Sequence, residues 1–126
     1  MTGLTIQELY TLVDGDYDQA VKVMKKDKLI DKYIRKLKDS NLNEVLTEAG
    51  KTMNAKALFD GAHAMKGVCS NLGLCRLQSA AEEISEEFRE GNSRTMSDEA
   101  VKDKLAEIDR MFKKTLEGIA QYEAET

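Results

Sequence analysis

Proline is absent from this chain of 126 residues, and histidine occurs only once. Without proline, the boundaries between helices have to come from capping side chains and glycines. The chain also lacks any run of about 18 apolar residues and any basic-then-apolar leader, so the sequence predicts neither a membrane span nor a signal peptide. We therefore expect a cytoplasmic protein that does not enter a membrane.

The chain has only two cysteines, and their spacing matches no redox or metal-binding motif. Cys69 and Cys75 are six residues apart, which matches neither a Cys-x-x-Cys redox pair nor the spacing of zinc ligands. We therefore expect two free thiols. A phosphate-binding glycine loop is also missing, so ATP hydrolysis is not expected.

An excess of positive charge is lacking as well. The formal net charge is −4 and the isoelectric point is about 5.1, whereas a nucleic-acid binder needs a strongly basic face. The basic stretch from Lys22 to Lys32 is interpreted as the solvated side of helices rather than as a functional patch. Nucleic acid is therefore excluded as an expected partner.

What is present favours one helical domain over residues 1–126. The content of 41% hydrophobic and 33% charged residues is typical of a soluble globular protein. Apolar residues recur at helical spacing, and neither a strand pattern nor an internal repeat is visible. We predict an all-α fold, an up-down antiparallel four-helix bundle with one or two additional N-terminal helices within about residues 4–50. Whether residues 1–50 cap the bundle or supply one of its four helices stays open at this stage.

Capping signals predict where the helices begin and end. A capping box at residues 4–9 opens a first helix that ends near Val13, and Asp16 with Gln19 opens the next helical stretch. Around residues 25–28 the apolar stripe shifts, so one kinked helix or two helices are both possible. Four further helices are predicted. They are a short helix from Asn41 closed by Gly50, a helix over about residues 54–72 that carries His63 (the histidine helix), a helix that stops at Gly91-Asn92, and a last long helix from Ser97.

The histidine helix is the most informative element, because it carries a histidine away from its apolar side. At 100° per residue one narrow stripe faces the core, and His63 points about 140° away from its first member. The stripe consists of Leu58, Ala62, Met65, Cys69 and Leu72. The imidazole is therefore expected to meet solvent.

The neighbours of His63 suit a group that exchanges phosphoryl groups. Lys66 would place an ammonium near phosphoryl oxygens, and phosphoryl transfer depends mainly on positioning and charge stabilisation. Helical side chains lean towards the N-terminus, so the residue at position 67 would cover the surface beside His63. Glycine at that position leaves the approach open, although it costs about 0.5–1 kcal/mol relative to alanine.

At these residues the chain resembles the histidine-containing phosphotransfer domains of two-component phosphorelays. Their pattern has a hydrophobic residue two positions after the histidine, then lysine, then glycine, and a hydrophobic-glycine pair nine and ten positions on. Residues 65–67 and 72–73 meet every term, and Ala62 fits the alanine that usually precedes the histidine. The resemblance continues more weakly from Leu58 to about Glu90, whereas Ala64 and Val68 replace residues that are often small and hydroxylated.

The resemblance implies a phosphorelay intermediate without its own kinase centre. His63 would accept a phosphoryl group from an aspartyl phosphate of a response-regulator receiver domain and pass it to another receiver. Lys66 would stabilise charge and Gly67 would give access. We expect no cofactor on this chain, a divalent metal on the receiver, a hybrid sensor histidine kinase as a further candidate partner, and a monomeric state. The expected docking residues are Lys56, Phe59, Asp60 and Ser70, with Arg76 or Glu83 of the next helix open.

Two other function classes compete with this interpretation. Asp60 and His63 are three residues apart, as in bundle metal sites, but di-iron bundles use such pairs twice and need two histidines. A helical-bundle adaptor that binds a signalling partner without phosphoryl transfer is the main alternative. It would need no exposed histidine, lysine and glycine on one face. Phosphorylation from a charged receiver would separate the two classes.

Overall fold

The computed structural model describes residues 4–125, and the regular structure in this range is entirely helical. The all-α prediction is therefore confirmed. No helix within the range is both long and apolar enough to cross a membrane. The elements are α1 Ile6–Leu12, α2 Tyr17–Met24, α3 Asp27–Lys36 followed by a short 3-10 turn Leu37–Asp39, α4 Leu42–Thr52, α5 Ala55–Asn71, α6 Cys75–Glu87 and α7 Asp98–Glu125.

The last four helices form the bundle. α5 packs against α4 and α6, and α7 closes the ring by packing against the same two helices. Each fully buried large apolar side chain contributes about 1.5–3 kcal/mol, so the inner faces of these helices hold the ring together. The inner faces carry Leu46, Leu58, Ala62, Met65, Cys69, Leu77, Ala81, Ile84, Val101, Ile108, Phe112 and Ile119.

Three short helices, rather than one or two, precede the bundle. α1 and α3 pack on α7, and α2 packs on α5. α4 belongs to the bundle itself, so residues 4–50 supply both the flanking helices and one helix of the four. The chain breaks between α2 and α3 because Lys25 adopts a left-handed conformation with φ of 71°, which settles the choice between one kinked helix and two.

Most of the predicted helix starts are confirmed by side-chain caps. Thr5 and Glu8 form the capping box of α1, and the Asp16 side chain accepts a hydrogen bond from the Gln19 amide at 3.1 Å. Asn54 accepts from the Ala57 amide at 2.9 Å and so opens α5. Ser97 accepts from the Ala100 amide at 3.0 Å ahead of α7. Each of these caps satisfies an amide that has no partner inside the helix.

Two predicted helix ends are wrong. Gly50 does not close α4, which continues to Thr52 and ends at Met53 in a left-handed conformation. A Cβ at Gly50 would lie 2.5 Å from Leu105 Cδ1, so glycine allows the close approach of α4 to α7. α6 ends at Glu87, before the predicted Gly91-Asn92. Both cysteines are free, as expected: Cys69 is buried and Cys75 is exposed.

The carboxyl end of α5 is fixed by the helices that precede the bundle. The Tyr10 hydroxyl donates a hydrogen bond of 2.5 Å to the Leu72 carbonyl, and the Asp16 amide donates one of 2.7 Å to the Gly73 carbonyl. Gly73 has φ of 67°, and a Cβ there would lie 2.2 Å from the Asp16 carbonyl oxygen. Only glycine combines this conformation with such a close approach. α1 and α2 are thereby attached to the helix that carries the histidine.

Candidate functional site

α5 presents His63 to solvent, as its pattern predicts. All five residues of the predicted apolar stripe are buried against the bundle, whereas His63 and Ala64 are exposed. Anchoring by the stripe fixes the rotation of the helix. The exposed imidazole is therefore held at a defined place on the surface.

Beside His63 the surface is open. Gly67 is exposed and lies one turn after His63 on α5. A Cβ at position 67 would have no neighbour within 4 Å, in contrast to Gly50, Gly61 and Gly118, where neighbouring side chains lie within that distance. Helix packing therefore does not explain the glycine at position 67, and the space next to the imidazole is accessible to a partner.

An aromatic side chain fixes the other side of the imidazole. The rings of Phe59 and His63 are stacked, with centroids 5.4 Å apart and planes at 15°. The Arg89 guanidinium, from the segment just after α6, lies 5.2 Å from the centroid of the Phe59 ring, and Glu86 holds Arg89 at 2.8 Å. This hydrogen-bonded pair raises the pKa of Arg89, so the cation stays charged. The side chains of Glu86, Arg89, Phe59 and His63 thus contact one another in that order, from the end of α6 to α5.

Lys66 lies near the same surface but has a carboxylate neighbour. Its ammonium is 3.8 Å from Glu82 Oε1 of α6, and 28% of its side chain is exposed. An ion pair this long and this exposed is worth less than about 1 kcal/mol. Lys66 can therefore leave Glu82 at little cost when another anion comes close. Ser70, one turn further along α5, is half-buried.

Lys56 and Asp60 form an ion pair at the start of α5. The two charged atoms are 2.7 Å apart, and the hydrogen bond to Asp60 raises the pKa of Lys56. Both side chains are largely exposed, so the pair is available to a partner rather than built into the core. A groove of about 570 Å³ begins there and is lined by Ala55, Lys56, Phe59, Asp60, Phe88, Arg89 and Glu90.

The α6 residues that face this surface differ from those suggested by the sequence. Arg76 points to Asp14, at 3.9 Å, and Glu83 pairs with Lys104 of α7 at 3.0 Å. Glu82, Glu86 and Arg89 lie on the α5 side instead. Glu82 and Glu86, four residues apart, share one face of α6, and Arg89 follows the end of the helix. The sequence does not show that this face meets α5.

The alternative of a bundle metal site finds no support in the described residues. No group of three histidine, cysteine, aspartate or glutamate side chains within residues 4–125 comes together in a way that could hold a metal ion. Asp60 is engaged with Lys56. What the surface offers chemically is a nucleophilic imidazole with an open approach and a cation nearby.

Comparison with known proteins agrees with the sequence pattern. A family model described as Hpt domain matches residues 31–119, which include α4, α5, α6 and most of α7. No curated protein and no solved structure matches the chain.

Proposed function

Because the chain belongs to the Hpt domain family, whose members carry phosphoryl groups on histidine in phosphorelays, we propose that His63 shuttles a phosphoryl group between receiver aspartates. Hpt domains interact with response-regulator receiver domains and with histidine kinases. The proposal for this chain is a transfer from the aspartyl phosphate of one receiver to the aspartate of another. The observation that carries it is the exposed His63, which lies beside the open surface at Gly67.

The transfer needs one nucleophilic atom from this chain. A ring nitrogen of neutral His63, which we assign as Nε2, attacks the phosphorus in line with the bond to the aspartyl oxygen. The new N–P bond forms as the O–P bond breaks, and the receiver carboxylate leaves with the bonding electrons. Attack by a carboxylate of a second receiver reverses the step and returns the imidazole.

The ring needs a fixed orientation for in-line attack. Stacking on Phe59 limits rotation of the imidazole, and Arg89 covers the Phe59 ring in turn. Reacting groups held in the correct geometry react far faster than groups that have to find it. Gly67 leaves room for the phosphoryl group and for the acidic pocket that surrounds it on the receiver.

Charge in the transition state is shared between the two proteins. Lys66 supplies a mobile ammonium, and its weak pairing with Glu82 allows it to move to phosphoryl oxygens. The divalent cation is assigned to the receiver, in agreement with the family resemblance. We assign docking to Lys56, Phe59, Asp60 and Ser70. We add Glu86 and Arg89 to this proposal because Arg89 lies over the Phe59 ring and pairs with Glu86.

The test uses a receiver domain charged with acetyl phosphate in the presence of Mg²⁺. Wild-type protein should gain an acid-labile phosphate, and His63→Gln should gain none while its circular dichroism and melting stay nearly unchanged. A matched control is Gln121→Asn, an exposed polar change on α7. Phosphorylation of the His63→Gln variant would refute the assignment, and receiver binding without any phosphate on the wild type would favour the adaptor function.

A further inference from the structure

A second surface feature opens close to the proposed phosphoacceptor. A groove of about 540 Å³ lies where α2, α3, the start of α4 and the end of α5 meet. Its apolar side chains are Met24, Tyr33, Leu37, Leu42, Val68 and Leu72. Lys36, Ser40, Asn41 and Asn71 complete the lining. The site described above uses none of these residues.

The groove continues the surface around His63. Asn71 is exposed and lies about 12 Å beyond His63 along α5, from eight residues at 1.5 Å each. At 100° per residue, Gly67 and Asn71 lie about 40° and 80° round the helix from His63, so they lead step by step from the imidazole to the groove. A partner that buries about 800 Å² around His63 covers a round patch of about 16 Å radius. Such a partner reaches the groove.

Three lysines form a row along α3. Lys28, Lys32 and Lys36 are exposed and follow one another at spacings of four residues. Like charges at this spacing destabilise a helix by a few tenths of a kcal/mol for each pair. Within the fold, this repulsion is offset by contacts of Lys32 and Lys36 with the Tyr33 ring and by the position of Lys36 in the last turn of α3.

The carboxylates of α3 do not neutralise the row. Asp27 accepts a hydrogen bond from the Tyr17 hydroxyl, and Asp31 is held by Arg35 and by the Tyr122 hydroxyl. Within residues 4–125, none of the three lysines forms an ion pair with a carboxylate. The row is therefore an exposed positive edge without a carboxylate partner among the described residues.

Tyr33 connects the lysine row with the apolar groove. Its ring is 40% exposed and lines the groove, and the ammonium groups of Lys32 and Lys36 lie 5.5 and 5.4 Å from its centroid. Leu29, one turn earlier on the same side of α3, is 37% exposed. An apolar strip bordered by cations complements an apolar side chain bordered by carboxylates.

Part of this surface lies outside the region that matches the Hpt family model. The match begins at residue 31, so Met24, Lys28 and Leu29 precede it. The groove thus combines family elements with residues from helices outside the match. Such a combination can distinguish one partner from another without changing the chemistry at His63.

Building on the proposed function, we propose that the groove and its lysine row select receivers that present an apolar side chain flanked by carboxylates. The basic stretch then has a role beyond that of a solvated helix side. Charges at the rim of an interface act mainly on association, so their effect should depend on salt. The lysines steer the receiver, and the apolar groove holds it while His63 reacts.

The experiment compares two charge reversals of equal size. Lys32→Glu with Lys36→Glu alters the row, and Lys51→Glu with Lys102→Glu is the control on the α4–α7 face, where both lysines line another groove. Each protein is phosphorylated by phosphoramidate, a small donor that needs no docking, and by a receiver charged with acetyl phosphate. The receiver is the one that transfers fastest to the wild type in a panel of different surface charge. The measured quantity is the receiver-dependent rate divided by the phosphoramidate-dependent rate at low salt.

We expect this ratio to fall roughly tenfold for the row variant and to stay unchanged for the control. The fall should appear in KM rather than kcat and shrink at 0.5 M salt, where the screening length is only a few ångströms. Tyr33→Ala should raise KM at both salt concentrations, because it removes an apolar contact. Lys32→Gln with Lys36→Gln provides a milder pair if circular dichroism shows that the reversed pair is unfolded.

Several outcomes would overturn the inference while leaving the proposed function intact. Equal KM values for the row and control variants would show that the lysines do not meet the receiver. Self-association of the wild type that the row variant loses, with KM unchanged, would assign the groove to a second copy of this chain. Co-sedimentation with phosphatidylserine vesicles, again with KM unchanged, would assign it to a membrane. If neither donor phosphorylates wild-type His63, the proposed function itself fails.

Discussion

Gly67 allows a prediction in which stability and function move in opposite directions. A Cβ at this position meets nothing within 4 Å, so alanine adds helix propensity without a clash. The gain should be about 0.8–1 kcal/mol, which corresponds to a rise in Tm of about 3–5 °C for a domain of this size. Urea unfolding and thermal melting both measure it.

Phosphotransfer should decline although the fold becomes more stable. A side chain at position 67 leans towards His63, so alanine should slow transfer a few-fold and glutamine by about 100-fold, the cost of displacing reacting atoms by about 1 Å. Single-turnover transfer from a charged receiver measures the rate. Phosphoramidate should phosphorylate the glutamine variant much better than the receiver does, because the small donor needs less room.

Gly118 is the matched control within the same chain. It is also a glycine inside a helix, but its Cβ would lie 2.5 Å from Val13 Cγ1. Gly118→Ala should therefore destabilise the protein by about 1–3 kcal/mol through overpacking, with little effect on transfer per folded molecule. The reasoning about Gly67 is refuted if Gly67→Gln folds and transfers at the normal rate, or if Gly67→Ala is destabilising.

Three further predictions concern charge and packing. Lys66→Ala should lower the transfer rate without weakening receiver binding, and equal rates for this variant and wild type would show that the ammonium has no role. Glu82→Gln should change the free energy of unfolding by less than about 0.5 kcal/mol and should not slow transfer. Phe88→Ala should cost about 3–5 kcal/mol in urea unfolding because the ring is only 7% exposed, and a loss below about 1 kcal/mol would contradict its place in the core. Burial alone would raise the pKa of Glu87, but hydrogen bonds from residues 94–96 lower it to about 2. The ionised Glu87 therefore stabilises the folded protein fully above pH 4.5, and this contribution is lost as the pH falls towards 2. Glu87→Gln should therefore lower stability at pH 7 and flatten its decline between pH 4.5 and 2, and an unchanged pH profile would contradict this role.

Local signals predicted the helix starts because each cap is formed within three residues of chain. Thr5, Asp16 and Asn54 all accept hydrogen bonds from amides three residues on. The exposure of His63 was also predictable, since the 3.6-residue period fixes it once the apolar stripe faces the core. These features depend on the geometry of one helix alone.

Features that depend on two helices were not predictable in the same way. The sequence pattern predicts a helix end at Gly50, but this glycine lies inside α4. Glycine is needed there because Leu105 of α7 comes close. Arg89 reaches Phe59 across the α5–α6 contact, from thirty residues further along the chain. The sequence contains both residues of each pair but does not give the rotation of one helix against the other.

Gly73 is another residue whose role depends on two helices, because it joins the end of α5 to the start of α2. Its left-handed conformation ends α5, and its missing side chain admits the Asp16 carbonyl, so the start of α2 lies directly against the end of the histidine helix. Tyr10 adds a buried hydrogen bond to Leu72 at the same end. α2, which lines the groove through Met24, is therefore held in a fixed position relative to His63. Under the docking proposed above, a receiver would meet the imidazole and the groove as parts of one rigid surface, so substitutions in the preceding helices would change partner choice without touching His63.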